Sequence, residues 1–317
     1  LAVKIKRSLI NPYFGQIADP NLLSVILTIV SFWLRKKLGS KSSQIDFANA
    51  TIISTAPPWS MHLLGAALSH LFNCPLIIDY RDQFSNSHMF GGYLSSLEYK
   101  IDSFLCRRAQ KVITISPSMN TYYSNLNDDT RLLMNGYDPN LFWPNTSIIN
   151  RSSSFIIRYF GSIQHATRLP IILLEALKKT TTNVTLDFYG DVPLIENYLL
   201  ENPELNKNVK VNAGVPQAQV RKLMAESDFN LLCETISGTS LSHTGVMTSK
   251  LFEYLAVERP ILALISPKSD MVSVLSDSGL LVGPFQSKSE VLSWLSSLND
   301  NRLEFEPKRS HIQKFSR

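Results

Sequence analysis

The sequence predicts an α/β protein made of two Rossmann-like, doubly wound domains facing a cleft. Three observations predict it. From residue 155 onward, short apolar runs of strand character alternate with helical stretches six times. The same alternation, with four strand-like runs, occupies residues 50–135. A turn-rich stretch of Asn, Pro, Gly and Ser, residues 135–154, separates the two as a linker. The length of 317 residues suits two domains at about 150 residues each.

In the second half the strands are expected at FIIRYFG (155–161), VTLDFYG (184–190), VKVNAG (209–214), FNLLCE (229–234), PILALIS (260–266) and GLLVG (279–283). Between them lie LPIILLEALKKT, PLIENYLLEN, PQAQVRKLMAES, TSKLFEYLAVE, KSDMVSVLSDS and KSEVLSWLSSL, each with apolar residues three to four apart, the spacing that puts them on one helix face. Six β-α units in a row imply a parallel sheet covered by helices on both sides. Right-handed crossovers then wind it in both directions.

The first half repeats the pattern less cleanly. Strands are expected at ATIIST (50–55), CPLIIDY (74–80), AQKVITIS (109–116) and TRLLMN (130–135), and helices at 60–72, 93–108 and 117–126. Four strands against six imply that this half lacks one or more strands at its start. A chain that opens Leu1-Ala2-Val3 without an initiator Met is accordingly expected to be a fragment. The domains are expected at 1–148 and 149–300, followed by a tail, 301–317.

Composition narrows the class. With 44% hydrophobic and 18% charged residues, 13 Gly and 16 Pro, the chain is neither disordered nor collagen-like nor a coiled coil. It has no run of 18 apolar residues. The net charge of +5 is local: residues 1–41 hold seven bases (Lys4, Lys6, Arg7, Arg35, Lys36, Lys37, Lys41) and one acid, Asp19. Within them LLSVILTIVSFWL (22–34) runs directly into RKKLGSK. Two readings stand for 22–41: a buried core helix ending in a basic turn, or an apolar face with a cationic margin that rests on a membrane surface. No basic-aromatic interleaving points to nucleic acid. Cys74, Cys106 and Cys233 are odd in number and far apart, which favours a reducing, cytoplasmic setting and thiols used in packing. The six histidines have no metal-ligand spacing.

In a doubly wound sheet, ligands bind beyond the carboxyl ends of the strands, so the polar residues there carry the chemistry. After the first strand of the second half comes Gly161-Ser162-Ile163-Gln164-His165-Ala166-Thr167-Arg168. Gly161 permits a tight turn with close backbone approach, and Arg168, at the start of the next helix, is either a clamp for phosphate oxygens or an ordinary surface cation. In GVMTSKLFEYLAVERPILAL (245–264), Thr248 or Ser249 caps a helix whose free N–H groups suit an anion. Lys250 in that first turn opposes the dipole preference, a local conflict of the sort found at functional sites. Glu253 shares its face. Its carboxylate suits a vicinal diol such as a ribose, or else it forms an intrahelical pair with Lys250.

Taken in order, PLIIDYRDQF (75–84), ITISPSM (113–119), LLMNGYDPNLF (132–142), YFGSIQHATRLP (159–170) and SKLFEYLAVERPILA (249–263) resemble the family 4 glycosyltransferases of the GT-B fold. The resemblance implies a nucleotide-sugar donor held by the second domain, an acceptor-side first domain incomplete at its start, and a tail returning towards it. It implies that Glu253 binds the ribose hydroxyls, that Arg168 binds the diphosphate, and that Val215, beside Gly214, holds the base through its backbone. Gly161, Ser162, Thr248, Ser249 and Lys250 complete the donor set. Arg81 and Asp82 fall where relatives carry a His-Asp pair, Arg81 orienting an acceptor or a phosphate; with Arg168 and Lys250 they are the catalytic candidates.

Three departures from the family pattern stand out: Ser162 replaces an Arg, Gly245 replaces a Glu eight positions before Glu253, and the Gly-rich loop after the family's first strand is absent. The sugar-hydroxyl contact is therefore open, with Lys250 or the amides near Met247 and Thr248 as substitutes. The resemblance further implies retaining transfer of a hexose-like sugar to a polysaccharide, lipopolysaccharide or lipid-linked acceptor, with no metal and no other cofactor. The alternatives are a nucleotide-sugar epimerase on the same fold and a non-catalytic nucleotide-sugar-binding module.

Overall fold

The computed structural model describes residues 29–30, 32–33, 49–85, 95–141, 154–238, 240–300 and 305–317. The chain divides into two compact units, Leu1–Leu133 and Met134–Arg317. The boundary expected at 148, like most of segment 22–41, lies outside the described residues. Within that segment Ile29, Phe32 and Trp33 are 62%, 72% and 56% exposed. No helix among the described residues is long and apolar enough to cross a membrane.

The first unit holds a parallel sheet of β1 (Ile52–Ala56), β2 (Leu76–Tyr80), β3 (Lys111–Thr114) and β4 (Thr130–Leu132), paired in chain order. Helices α1 (Ser60–Phe72), α2 (Ser95–Arg108) and α3 (Pro117–Ser124) make the crossovers. Their ends follow local chemistry. Ser116 accepts from the Met119 amide and Pro117 opens α3, its missing N–H costing nothing at that position. The last strand is shorter than expected: it ends at Leu132, beyond which the chain passes into the second unit.

The second unit holds six parallel strands: β5 (Phe155–Phe160), β6 (Val184–Tyr189), β7 (Val209–Asn212), β8 (Phe229–Cys233), β9 (Ile261–Leu264) and β10 (Leu281–Val282), in the order β10-β9-β8-β5-β6-β7. Every residue of β8 and β9 is buried, as a strand covered on both faces must be. The chain starts in the centre with β5, moves outward to β7, then returns to β8 on the other side of β5 and moves outward again. Where the winding reverses, the flanking loops leave to opposite faces and a crevice opens between the carboxyl ends of β5 and β8.

The helices here are α4 (Ile171–Leu177), α5 (Pro193–Glu201), α6 (Gln217–Glu226), α7 (Leu241–Thr244), α8 (Ser249–Ala256), α9 (Asp270–Ser278), α10 (Lys288–Asp300) and α11 (Arg309–Ile312). Ser269 caps α9, and Gly279 ends it at φ +73, a conformation open to Gly at little cost. Leu173, Leu174 and Leu177 of α4 and Leu295 and Leu298 of α10 join the strands in one core. The C-terminal residues pack on the entry segment of the same unit. The Tyr137 amide donates to the Phe315 carbonyl at 2.9 Å, and Arg317 donates its amide to the Tyr137 carbonyl at 3.0 Å and an Nη2 hydrogen to the Met134 carbonyl at 2.6 Å. Cys74, Cys106 and Cys233 are free and buried.

Candidate functional site

The site grows from two glycines at the ends of β5 and β6. Gly161 has φ +119 and Gly190 φ +131, values that a residue with a Cβ rarely adopts. A Cβ on Gly190 would lie 2.4 Å from the Gly161 carbonyl oxygen, so the two strand ends close only because Gly190 lacks one. A Cβ on Gly161 would in turn lie 2.7 Å from Cε of Lys250. The Lys250 side chain thus crosses directly over the turn.

Lys250 comes from the first turn of α8. Its Nζ donates to the Tyr159 hydroxyl at 2.6 Å and stands 4.2 Å from the centre of that ring, a cation over an aromatic face. Tyr159 passes the chain on, donating to the Ser162 carbonyl at 2.9 Å and so pinning the turn. Burial pulls the Lys250 ammonium below its ordinary pKa, opposed by Cys233, Glu234 and Glu253 and reinforced by Arg168. The Lys250 hydrogen bond thus goes inward to Tyr159. Glu253, half-buried on the same helix, has its carboxyl raised by burial and lowered by Lys250.

Arg168 does not begin a helix. It closes a 3₁₀ turn, Ala166–Arg168, and Leu169 is extended (φ −68, ψ 124) because the ring of Pro170 disfavours helical geometry in the residue before it. The guanidinium Nε forms an ion pair with Oε2 of Glu234 at 2.7 Å, the Arg side chain 39% and the Glu side chain 13% exposed. Glu234 follows β8 directly, on the far side of the crevice from Gly161. It was not among the expected residues. The run FNLLCE assigns it to a strand, although as the first charged residue after the strand facing the switch point it stood where the crevice rule looks.

The structure therefore joins Gly161, Ser162 and Lys250 around Tyr159, with Arg168 and Glu253 within electrostatic reach of Lys250. Thr248 occupies the cap position of α8 with extended geometry, but neither it nor Ser249 caps as expected, since the Thr248 side chain makes no capping hydrogen bond and Ser249 is already helical. The Met247 carbonyl accepts from Asn135 Nδ2 at 3.1 Å. Gly245 is buried, its amide bonded to the Leu241 carbonyl at 2.8 Å at the end of α7. Gly214 and Val215 follow β7, the edge strand two places from β5, and a Cβ on Gly214 would meet nothing within 4 Å. Among the described residues no group of three or more His, Cys, Asp or Glu side chains is arranged to hold a metal ion.

Arg81 and Asp82 belong to the first unit, just after β2. Arg81 Nη1 lies 3.6 Å from Asp79 Oδ1 and its amide donates to the Ala56 carbonyl at 3.0 Å; Asp82 is exposed. The segment they open is anchored by a second cluster that the sequence did not reveal. Fully buried Asp102 of α2 accepts from the Tyr80 hydroxyl at 2.6 Å, the Ser85 amide at 3.1 Å, the Ser85 hydroxyl, and the Tyr123 hydroxyl at 3.2 Å. Burial raises its carboxyl to about 6, with the hydrogen bonds from Ser85, Tyr80 and Tyr123 pulling the other way.

Similarity to known proteins lies in the fold. No family model and no curated protein matches the sequence. Among solved structures, HepE of Anabaena in complex with UDP is 17% identical, aligned over 96% of this chain and 80% of that one, with a TM-score of 0.64. A glycosyltransferase from Rickettsia africae is 17% identical over 100% and 81% of the two chains, TM-score 0.60. The lipopolysaccharide outer core galactosyltransferase WaaB in its apo form is 13% identical over 93% and 76%, TM-score 0.58. The fold is that of the GT-B glycosyltransferases. In GT-B terms, the two parallel sheets with alternating helices are its two Rossmann-like domains.

Proposed function

We propose that the protein is a glycosyltransferase of the family 4 kind, taking a hexose-like sugar from a nucleoside diphosphate and passing it to a polysaccharide, lipopolysaccharide or lipid-linked acceptor. The observation that carries this is the pair of cations, Arg168 and Lys250, brought to the crevice of the second unit beside glycine-lined backbone. Two cations beside strand ends that carry Gly161 and Gly190 suit a diphosphate, whose oxygens need charge and close approach. The complex of HepE with UDP adds weight to a uridine donor.

In this reading Arg168 and Lys250 bind the diphosphate and stabilise charge as it leaves, and Glu253 accepts the ribose hydroxyls. Gly161, Ser162, Thr248 and Ser249 line the phosphates, and Val215 meets the base. Arg81 and Asp82 serve the acceptor side. Transfer proceeds with retention: the bond from the sugar carbon to the diphosphate oxygen breaks, the acceptor oxygen bonds on the same face, and the acceptor proton passes to the departing diphosphate. The protein supplies position and charge, with no metal. Segment 22–41 holds the enzyme at the inner membrane face, close to such acceptors; the exposed Ile29, Phe32 and Trp33 support this.

Calorimetry with UDP, GDP and ADP, alongside turnover of the matching nucleotide-sugars with and without EDTA, tests the proposal. Expected are binding of one nucleotide and turnover that survives the chelator, and a loss of about 10²-fold in kcat for Arg168→Ala. Loss of turnover in EDTA restored by magnesium overturns the metal-free mechanism. Binding without turnover on any donor favours the non-catalytic module, a reading that Gly245 leaves open.

A further inference from the structure

The ion pair across the crevice does more than neutralise charge. Glu234 is anchored: its amide donates to the Leu264 carbonyl at 3.0 Å, continuing the pairing of β8 with β9 beyond the strand. Arg168, in contrast, sits on a three-residue 3₁₀ turn between Gly161 and Pro170. The carboxylate is the inner partner, 13% exposed, and the guanidinium the outer one, 39% exposed. The ion pair is made at Nε, 2.7 Å from the carboxylate oxygen. A guanidinium has five N–H donors in a fixed plane, so an ion pair made at Nε leaves the four on Nη1 and Nη2 for another acceptor.

We propose that Glu234 is a positioning residue of the donor site, holding the Arg168 guanidinium by its Nε edge so that the Nη groups are presented to a diphosphate. This rests on the donor-site reading above. An unrestrained Arg loses rotamer freedom when it binds phosphate; one already held by Glu234 has lost it before the ligand arrives. Lys250 cannot substitute in this role, because an ammonium is a point charge without a planar fork of donors to orient.

The proposal opposes what charge alone predicts. A carboxylate beside a phosphate site repels the ligand, so deleting it should tighten nucleotide binding if its effect is electrostatic. If it positions Arg168, deleting it weakens binding. The test is calorimetry on the full chain with UDP, GDP and ADP, following the nucleotide that the unmodified protein binds best. Glu234→Ala is expected to weaken that nucleotide about tenfold, and Glu234→Gln, which keeps an acceptor for Nε, to retain most of the affinity. In the Arg168→Ala background the Glu234→Ala change should cost less than about twofold, since a residue acting through Arg168 has nothing left to act on.

Glu234→Asp keeps the charge but withdraws the acceptor by one methylene. It should show the same pattern at about threefold, and serves where the alanine variant fails to fold. Equal or tighter binding by Glu234→Ala, or a tenfold loss that persists undiminished without Arg168, overturns the proposal while leaving the donor site standing. Absence of binding by the unmodified protein to all three nucleotides overturns the donor-site reading and this proposal with it.

Discussion

Lys250 donates a hydrogen bond to the hydroxyl of Tyr159 at 2.6 Å while its charge rests over the same ring, 4.2 Å from the centre. A helix of the second half is thereby tied to the first strand of that half, at the turn where Gly161 leaves no room for a side chain of its own.

Lys250 is half-buried, and a cation that serves binding as proposed should be dispensable for folding. Lys250→Met removes the charge and keeps the apolar stem, and with the charge goes the desolvation that disfavours the ammonium in the folded state. We expect nucleotide affinity to fall about tenfold or more while the thermal midpoint is unchanged or higher. Calorimetry and thermal unfolding of the same preparation check this; a lower midpoint with full affinity would make Lys250 a structural residue.

Gly190 has no such latitude. Its φ of +131, and the 2.4 Å that would separate a Cβ at this position from the Gly161 carbonyl oxygen, put both strain and a backbone clash on any larger residue. Gly190→Ala should destabilise the protein by about 3 kcal/mol or more, read from denaturant midpoints. Gly214→Ala, with nothing within 4 Å, is the matched control and should stay within about 0.5 kcal/mol.

The Asp102 carboxyl predicts a pH dependence. Its folded value, about 6, lies above the ordinary 3.8, so the native state holds this proton more tightly than the unfolded chain does. Stability from this group is fully present below pH 3.8 and is lost as pH rises towards 6, by up to about 3 kcal/mol. Asp102→Asn removes the titration. Denaturant midpoints from pH 4 to pH 7 should show a decline in the unmodified protein that flattens in the variant; parallel curves would count against it.

The N-terminal segment predicts adhesion. Phe32 and Trp33 stand exposed ahead of Arg35, Lys36 and Lys37. Co-sedimentation with vesicles rich in phosphatidylserine should exceed that with phosphatidylcholine alone, and replacing Phe32 and Trp33 together by Ala should reduce it about tenfold. Equal binding to both vesicle types would remove the cationic contribution.

Much of the fold was legible because it is a matter of local periodicity. The apolar runs that became β5, β6, β8 and β9, and the three-to-four spacing of α8 and α9, record which faces are covered, and covering is what the sequence pattern encodes. The sequence also singled out Gly161 at a strand end and Lys250 at a helix start, the positions that the rule for doubly wound sheets examines. Periodicity alone places Arg168 on a helix, because the apolar spacing continues through it while the effect of Pro170 on Leu169 acts against that spacing.

What the sequence by itself determined, then, is the order of strands and helices, the two-part layout, and which residues stand at strand ends. Only the tertiary structure decided which of those ends meet. Glu234 reaches Arg168 across 66 positions of chain because β8 returns to lie beside β5. Asp102 gathers Tyr80, Ser85 and Tyr123 from separate segments in the same way. Both are relationships of strand order and helix packing, set when the whole sheet closes its core, and no local pattern of residues carries them.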